Sequence, residues 1–217
     1  MKEALVILPG VTADRRKRNF LEEYFRSHTG YDVFLPALWQ RFGLSFCAGQ
    51  LDRFLRRSIA PAGYDHVHFL CYISGGFILR LAASRRPFDK WGRIVFVRSP
   101  IQERVPPLLV ARYGRLPTLL RAGKMVVDLA GSSKERLPLP DTGNDQGLVL
   151  ERGVSRLASS LGLRPEDFAD LRAAGEFDIS GSTQVLLASE SHDEVYTSEA
   201  LLGSVARFLA SGSFDDR

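Results

Sequence analysis

The stretch of sequence that decides the fold is Asp65-His66-Val67-His68-Phe69-Leu70-Cys71-Tyr72-Ile73-Ser74-Gly75-Gly76-Phe77-Ile78-Leu79-Arg80. Its segment Val67–Cys71, apolar except for His68, is typical of a strand that is buried on both faces. Two adjacent glycines follow, and Gly75–Ser84 carries apolar residues at helical spacing. This stretch therefore predicts a buried strand, a tight turn and an amphipathic helix in direct succession.

The same alternation continues on both sides of this stretch. Apolar runs predict strands at Ala4–Leu8, Tyr31–Leu35, Val67–Cys71, Ile94–Val97 and Gln184–Ala188. Apolar residues at helical spacing predict helices around Phe20–Phe25 and Leu51–Ile59 and at Gly75–Ser84, Val154–Leu161, Arg164–Ala174 and Leu202–Leu209. Because parallel strands need crossover connections, the alternation predicts an α/β fold whose mostly parallel sheet carries helices on both faces.

The chain length fits one domain. With 217 residues, 45% of them hydrophobic, the sequence has enough apolar material for one sizeable core, and we expect a single domain over residues 1–217. Residues 101–150 are rich in Pro, Gly and Arg and predict an irregular, cap-like insertion over the carboxyl edge of the sheet. A ligand site is expected at that edge.

The segment Cys71-Tyr72-Ile73-Ser74-Gly75-Gly76 resembles the nucleophile elbow of the α/β-hydrolase fold, in particular that of bacterial esterases and triacylglycerol lipases, whose pattern is G-H-S-x-G-G. In this alignment Ile73 stands where the nucleophilic serine belongs. A branched alkyl group has no lone pair with which to attack a carbonyl carbon. The resemblance therefore implies a relative of carboxylic-ester hydrolases with a degenerate site, a pseudoenzyme that binds a small acyl or ester-like ligand or a partner.

A register shifted by one residue gives the alternative. Ser74 is then the nucleophile of an active serine esterase or lipase-like hydrolase, and Gly75 supplies an oxyanion-hole amide. That register puts Tyr72 where the pattern has a small residue. Without catalysis, Ser74 has the ordinary role of a helix N-cap.

The resemblance also implies the other members of the site. Gly10 or Val11, directly after the first predicted strand, supplies the second oxyanion amide, and His192, after the last one, is the general base. Asp145 is the first candidate for the acid and Asp141 the second. A different alignment makes the acid Asp193, and His192 is then no longer the base.

Composition argues against several other functions. The net charge of +4 contains one dense basic run, residues 15–18, which is expected to be a solvated face with at most weak attraction to anionic lipid, so no nucleic acid partner is expected. No phosphate loop and no metal-ligand spacing occurs, so no cofactor and no metal are expected.

No apolar run approaches a membrane-spanning length. Cys47 and Cys71 fall in predicted core segments, which favours a reducing, cytoplasmic setting. The sequence does not indicate an oligomeric state.

Overall fold

The computed structural model describes residues 1–86, 88–131, 145–164 and 183–215. The strands of this part of the chain are β1 (Glu3–Leu8), β2 (Asp32–Phe34), β3 (His66–Tyr72), β4 (Trp91–Arg98), β5 (Gln146–Gly153) and β6 (Thr183–Ser191). They form one parallel sheet in the order β2-β1-β3-β4-β5-β6. The predicted α/β class with a parallel sheet is confirmed.

Helices connect and cover these strands. They are α1 (Arg15–His28), α2 (Leu44–Phe54), α3 (Ser74–Arg85), α4 (Pro100–Glu103), α5 (Val105–Tyr113), α6 (Arg115–Ala122), α7 (Lys124–Gly131), α8 (Arg156–Ser160) and α9 (Glu199–Ser211). Short 3-10 turns at Gln40–Phe42 and Ala60–Ala62 and a π-helical turn at Leu55–Ile59 complete the described helical structure.

Each face of the sheet carries its own core, because successive strand residues point to opposite sides. In β1, Leu5 and Ile7 pack with the buried residues of α1 and α9, whereas Val6 and Leu8 pack with those of α2, α3 and α7. All four are completely buried. Burial on both faces explains why this strand is a continuous apolar run in the sequence.

Residues 100–131 differ from the irregular structure expected there, because they form the four helices α4 to α7. Their prolines and glycines mark helix boundaries. Pro106 and Pro107 lie in the first turn of α5, where a backbone N–H would have no intrahelical acceptor, so its absence in proline costs nothing. Gly114 and Gly123, with φ of 82° and 87°, separate α5, α6 and α7. Short helices broken by glycine conceal the helical period that sequence analysis looks for.

The structure adds a strand that the sequence analysis did not predict. The apolar run within residues 146–150, assigned to the insertion, is part of β5, which pairs with β4 on one side and β6 on the other. The helix expected at Arg164–Ala174 lies outside the described residues except for Arg164.

The start of α3 lies directly against the end of β1. A Cβ atom on Gly75 would collide with the backbone carbonyl of Leu8, so that glycine is required by close approach. The loops after β1 and β3 are consequently neighbours at the carboxyl edge of the sheet. Because the strands are parallel, β4, β5 and β6 end at that same edge.

Candidate active site

The turn between β3 and α3 consists of one residue, Ile73. Its φ of 12° and ψ of −84° belong neither to the strand before it nor to the helix after it. Its amide donates a hydrogen bond of 3.0 Å to the carbonyl of Val97 in β4. The apex of the strand-turn-helix unit therefore carries an aliphatic side chain.

Ser74 begins α3 and is nearly completely buried, at 1% exposure. Its hydroxyl donates a 2.8 Å hydrogen bond to Oε1 of Gln40, and Nε2 of Gln40 donates one of 2.8 Å to the carbonyl of Pro9. Gln40 thus ties the start of α3 to the loop after β1. Within the described residues, no hydrogen bond joins Ser74 to His192.

His192 follows β6 and is also buried, at 4% exposure. Its Nδ1 lies 3.1 and 3.2 Å from the two carboxylate oxygens of Glu151, and its Nε2 lies 2.9 Å from Oγ1 of Thr12. A carboxylate only accepts hydrogen bonds, so Nδ1 carries the ring hydrogen toward Glu151. In the neutral ring, Nε2 then accepts the hydrogen of the Thr12 hydroxyl. The three side chains form a continuous chain of carboxylate, imidazole and hydroxyl.

Glu151 is the member of this chain that sequence analysis missed. It lies near the carboxyl end of β5, opposite Ala188 of β6, and is completely inaccessible to solvent. The available signal was the apolar run Leu148–Leu150, which is followed at once by a carboxylate. Recognising that run as a strand would have placed Glu151 at the edge where His192 lies, in the order acid before histidine.

Neither of the two described aspartates that were considered as the acid is hydrogen-bonded to His192. Asp145 precedes β5 at the opposite edge of the sheet, is 56% exposed and pairs with Arg93 at 3.4 Å, so the structure does not bring it to His192. Asp193 accepts a hydrogen bond from the amide of Arg156 and lies 3.9 Å from Lys17. Asp141 lies outside the described residues.

The loop after β1 contains Gly10, Val11 and Thr12, and the amide of Ala13 closes the turn on the carbonyl of Gly10 at 3.2 Å. A Cβ on Gly10 would approach the hydroxyl of Tyr196 to 2.5 Å. Burial raises the pKa of Tyr196 well above its ordinary value of 10.0, so a neutral phenol lies beside this loop. The amides expected to form an oxyanion hole, those of Gly10, Val11 and Gly75, belong to this loop and to the adjoining first turn of α3.

A cavity of about 570 Å³ opens at this edge of the sheet, within the size range of small-molecule sites. Thr12, Ile73, Ser74 and His192 contribute to its wall. Its apolar wall comes mainly from the helices between β4 and β5 and from α3 and α8, through Phe77, Val105, Leu109, Val126, Leu129 and Leu157.

One ion pair lies in the wall of this cavity. Two of the three guanidinium nitrogens of Arg98, Nε and Nη2, donate to the carboxylate of Glu103, at 2.7 and 2.6 Å. The pair is mostly shielded from solvent and joins the end of β4 to α4. Its two charges are matched, and apolar side chains make up most of the rest of the wall, which also contains Arg104.

The basic run at the start of α1 is partly engaged within the protein. Lys17 lies near Asp193 and above the ring of Tyr196, and Arg18 donates to the carbonyl of Pro36 at 3.4 Å. These contacts favour the interpretation of this run as an ordinary helix face.

The described residues contain neither a candidate metal site nor a candidate membrane span. No group of three or more His, Cys, Asp or Glu side chains in residues 1–86, 88–131, 145–164 and 183–215 is arranged to hold a metal ion. No helix in those ranges has both the length and the apolar character that a membrane span requires.

Sequence comparison and structure comparison give different results. No protein-family model and no curated protein matches this sequence. Among solved structures, the lipase BlEst2 of Bacillus licheniformis superposes with a TM-score of 0.67 at 15% identity, over 98% of this chain and 92% of the lipase. Est1E of Butyrivibrio proteoclasticus gives a TM-score of 0.60 at 12% identity, over 96% of this chain and 87% of that one.

A third similar structure is MGS-MChE2, an alpha/beta hydrolase enzyme from the metagenome of sediments of the Mar Chica lagoon in Morocco. It superposes with a TM-score of 0.55 at 19% identity, over 95% of this chain and 90% of that one. Identities this low show the fold alone. With its parallel sheet, its strand-turn-helix unit and these structural neighbours, the chain has the α/β-hydrolase fold.

Proposed function

We propose that this protein is related to carboxylic-ester hydrolases, that its elbow lacks a nucleophile, and that its cavity binds a small acyl or ester-like ligand. The observation that carries the proposal is Ile73 at the apex of the elbow. A buried pair of Glu151 and His192 lies beside the same cavity. In this proposal the attacking oxygen has gone from the elbow, whereas the base, the acid and the cavity remain.

The composition of the cavity wall supports the proposed ligand class. Aliphatic and aromatic side chains dominate that wall, and its polar groups are Thr12, Ser74 and His192 together with Arg98, Gln102, Glu103 and Arg104. An ester has the same division, because its acyl chain is apolar and its carbonyl accepts hydrogen bonds. Pockets of this kind use a few polar groups to orient an otherwise apolar ligand.

Binding is tested with ethyl hexanoate by saturation-transfer-difference NMR. We expect transfer to the acyl methylenes of the ester and at least about tenfold weaker binding in Val126→Lys, which places a charge in the apolar wall. Val185→Lys is the matched control, because Val185 is 45% exposed on the edge strand β6. Absence of transfer in the natural chain, or equal loss in both variants, contradicts the proposal.

The alternative, an active hydrolase that uses Ser74, has weaker support. A nucleophilic hydroxyl needs a base within hydrogen-bond distance, and the hydroxyl of Ser74 donates to an amide oxygen of Gln40 instead. A fluorophosphonate probe distinguishes the two. Labelling that Ser74→Ala abolishes would establish the alternative and overturn the inert elbow.

We further propose that the protein works in a reducing compartment such as the cytoplasm. Cys47 and Cys71 are both buried as free thiols, and burial raises the pKa of each. Both therefore support the core as small apolar groups. Fusion of the chain to a fluorescent reporter in its native host tests the location, and export of the fusion would contradict it.

A further inference from the structure

We infer that Thr12 is a nucleophile in place of the missing elbow serine, so that Thr12, His192 and Glu151 form a hydroxyl, imidazole and carboxylate triad whose attacking oxygen comes from the loop after β1. The inference rests on the proposed cavity and its acyl ligand class. It goes beyond that proposal because it assigns a covalent reaction to a residue outside the elbow.

Hydrogen-bond geometry is the first support. The 2.9 Å contact between Oγ1 of Thr12 and Nε2 of His192 has the length required between a nucleophile and its general base. On the other side of the ring, Glu151 lies at 3.1 Å from Nδ1 and fixes both the ring orientation and the tautomer. Triads are defined by this arrangement of roles, and unrelated folds assemble it from different chain positions.

Access to ligand is the second support. Thr12 is exposed and lies in the wall of the same cavity as Ile73 and His192, whereas Ser74 is buried against Gln40. The base itself is 4% exposed, so the hydroxyl is the member of the triad that a ligand in the cavity meets.

The hydroxyl of Thr12 has no evident structural task in its own loop. The N-cap of α1 is Asp14, whose carboxylate accepts from the amide of Lys17 at 2.9 Å. The turn is closed by backbone, through the amide of Ala13 and the carbonyl of Gly10. A valine would satisfy the backbone equally well. Threonine at this position is therefore explained by its side-chain contacts, the hydrogen bond to His192 and an interaction with the buried phenol of Tyr196.

Stabilisation of the negative oxygen is available nearby. The first amides of a helix have no intrahelical acceptor, and those of Ser74 and Gly75 begin α3, with Ser74 in the wall of the cavity. Backbone N–H groups of this kind stabilise the oxyanion that forms when a hydroxyl adds to a carbonyl. The elbow would therefore still supply oxyanion-hole amides although it no longer supplies the nucleophile.

The reaction balances without a further reactant except water. Oγ1 of Thr12 bonds to the carbonyl carbon of the ester while its proton passes to Nε2 of His192. The bond between that carbon and the alcohol oxygen breaks, and His192 returns the proton to the leaving alcohol. Water then attacks the carbonyl carbon of the acyl-threonine while His192 accepts its proton. The bond between that carbon and Oγ1 breaks, His192 returns the proton to Oγ1 of Thr12, and the carboxylic acid leaves.

The test is labelling with an alkyl fluorophosphonate, in which the attacking oxygen displaces fluoride from phosphorus. Trypsin places the two candidate nucleophiles in separate peptides, Glu3–Arg15 and Ser58–Arg80, and Thr12 has the only hydroxyl of the first. We expect the adduct on Glu3–Arg15, its loss in Thr12→Val, its persistence in Thr12→Ser, and labelling at least about tenfold slower in His192→Asn. Thr197→Val is the matched control, since Thr197 is exposed and bonds only locally to Glu194.

Each other outcome has a definite meaning. An adduct on Ser58–Arg80 at Ser74 overturns both this inference and the inert elbow. If neither peptide is labelled by probes with short and long alkyl chains while ethyl hexanoate still binds, Thr12 is not a nucleophile and the proposed binding function stands. If neither binding nor labelling occurs, the proposed function fails with it. Circular dichroism of Thr12→Val, which is nearly isosteric, establishes that the variant is folded.

Discussion

The carboxylate of Glu151, completely buried in β5, lies 3.1 Å from Nδ1 of His192, 41 residues further along the chain. Removing one member of a buried ionisable pair leaves the other without compensation for its lost hydration. We expect His192→Ala to lower the free energy of unfolding by about 3 kcal/mol. Urea denaturation measures it.

A double-mutant cycle separates this pair from general packing. Glu151→Gln combined with His192→Ala is expected to cost about 1 to 3 kcal/mol less than the sum of the two single changes, because the double variant buries a neutral amide instead of the unpaired carboxylate that His192→Ala leaves. Additive effects would mean that the two side chains do not stabilise each other.

Restoring a serine at the elbow tests whether the rest of the site remains competent. In a Thr12→Val background, His192 has lost its hydroxyl partner. Adding Ile73→Ser is expected to raise the rate of p-nitrophenyl butyrate hydrolysis at least about tenfold over that of Thr12→Val alone. The matched control is Ile73→Ala in the same background, which opens the same space without an oxygen. Equal rates in the two variants would show that His192 cannot serve a nucleophile at the apex.

The contact between α3 and β1 makes Gly75 irreplaceable. A Cβ at this position would strike the backbone of Leu8, which cannot rotate away as a side chain would. We expect Gly75→Ala to destabilise the fold by about 3 kcal/mol or to prevent folding. Gly30→Ala is the control, since nothing lies within 4 Å of its added Cβ. Similar thermal unfolding of the two variants would contradict the close packing.

Buried His68 makes stability depend on pH. Burial lowers its pKa from 6.5 to about 4, against the opposing effect of nearby Glu3 and with smaller lowering effects of Arg93 and His66. The unfolded chain therefore takes up a proton that the folded chain resists, and stability falls as the pH drops from about 6.5 to about 4. The expected slope from this group is at most about 1.4 kcal/mol per pH unit.

His68→Gln removes this titration. Its free energy of unfolding is expected to vary less between pH 6.5 and 4.5 than that of the natural chain, as measured by urea denaturation at each pH. The same slope in both proteins would assign the pH dependence to other groups.

The order of strands and helices around the elbow is visible in the sequence because burial on both faces imposes a local signal. Most of β3 is apolar because it packs on both faces, and the glycine at position 75 is set by the backbone of a neighbouring strand. The helices of residues 100–131 were not predicted because each is too short to display its period.

By itself the sequence determined the α/β class, the elbow and the isoleucine at its apex. Only the tertiary structure decided which carboxylate reaches His192 and which hydroxyl meets its other nitrogen. Glu151 lies near the end of β5 and Thr12 in the loop after β1, far apart in the chain, and local sequence patterns do not show that both contact His192. The parallel sheet brings them together because its carboxyl ends converge on one edge, where side chains of distant segments become hydrogen-bond partners.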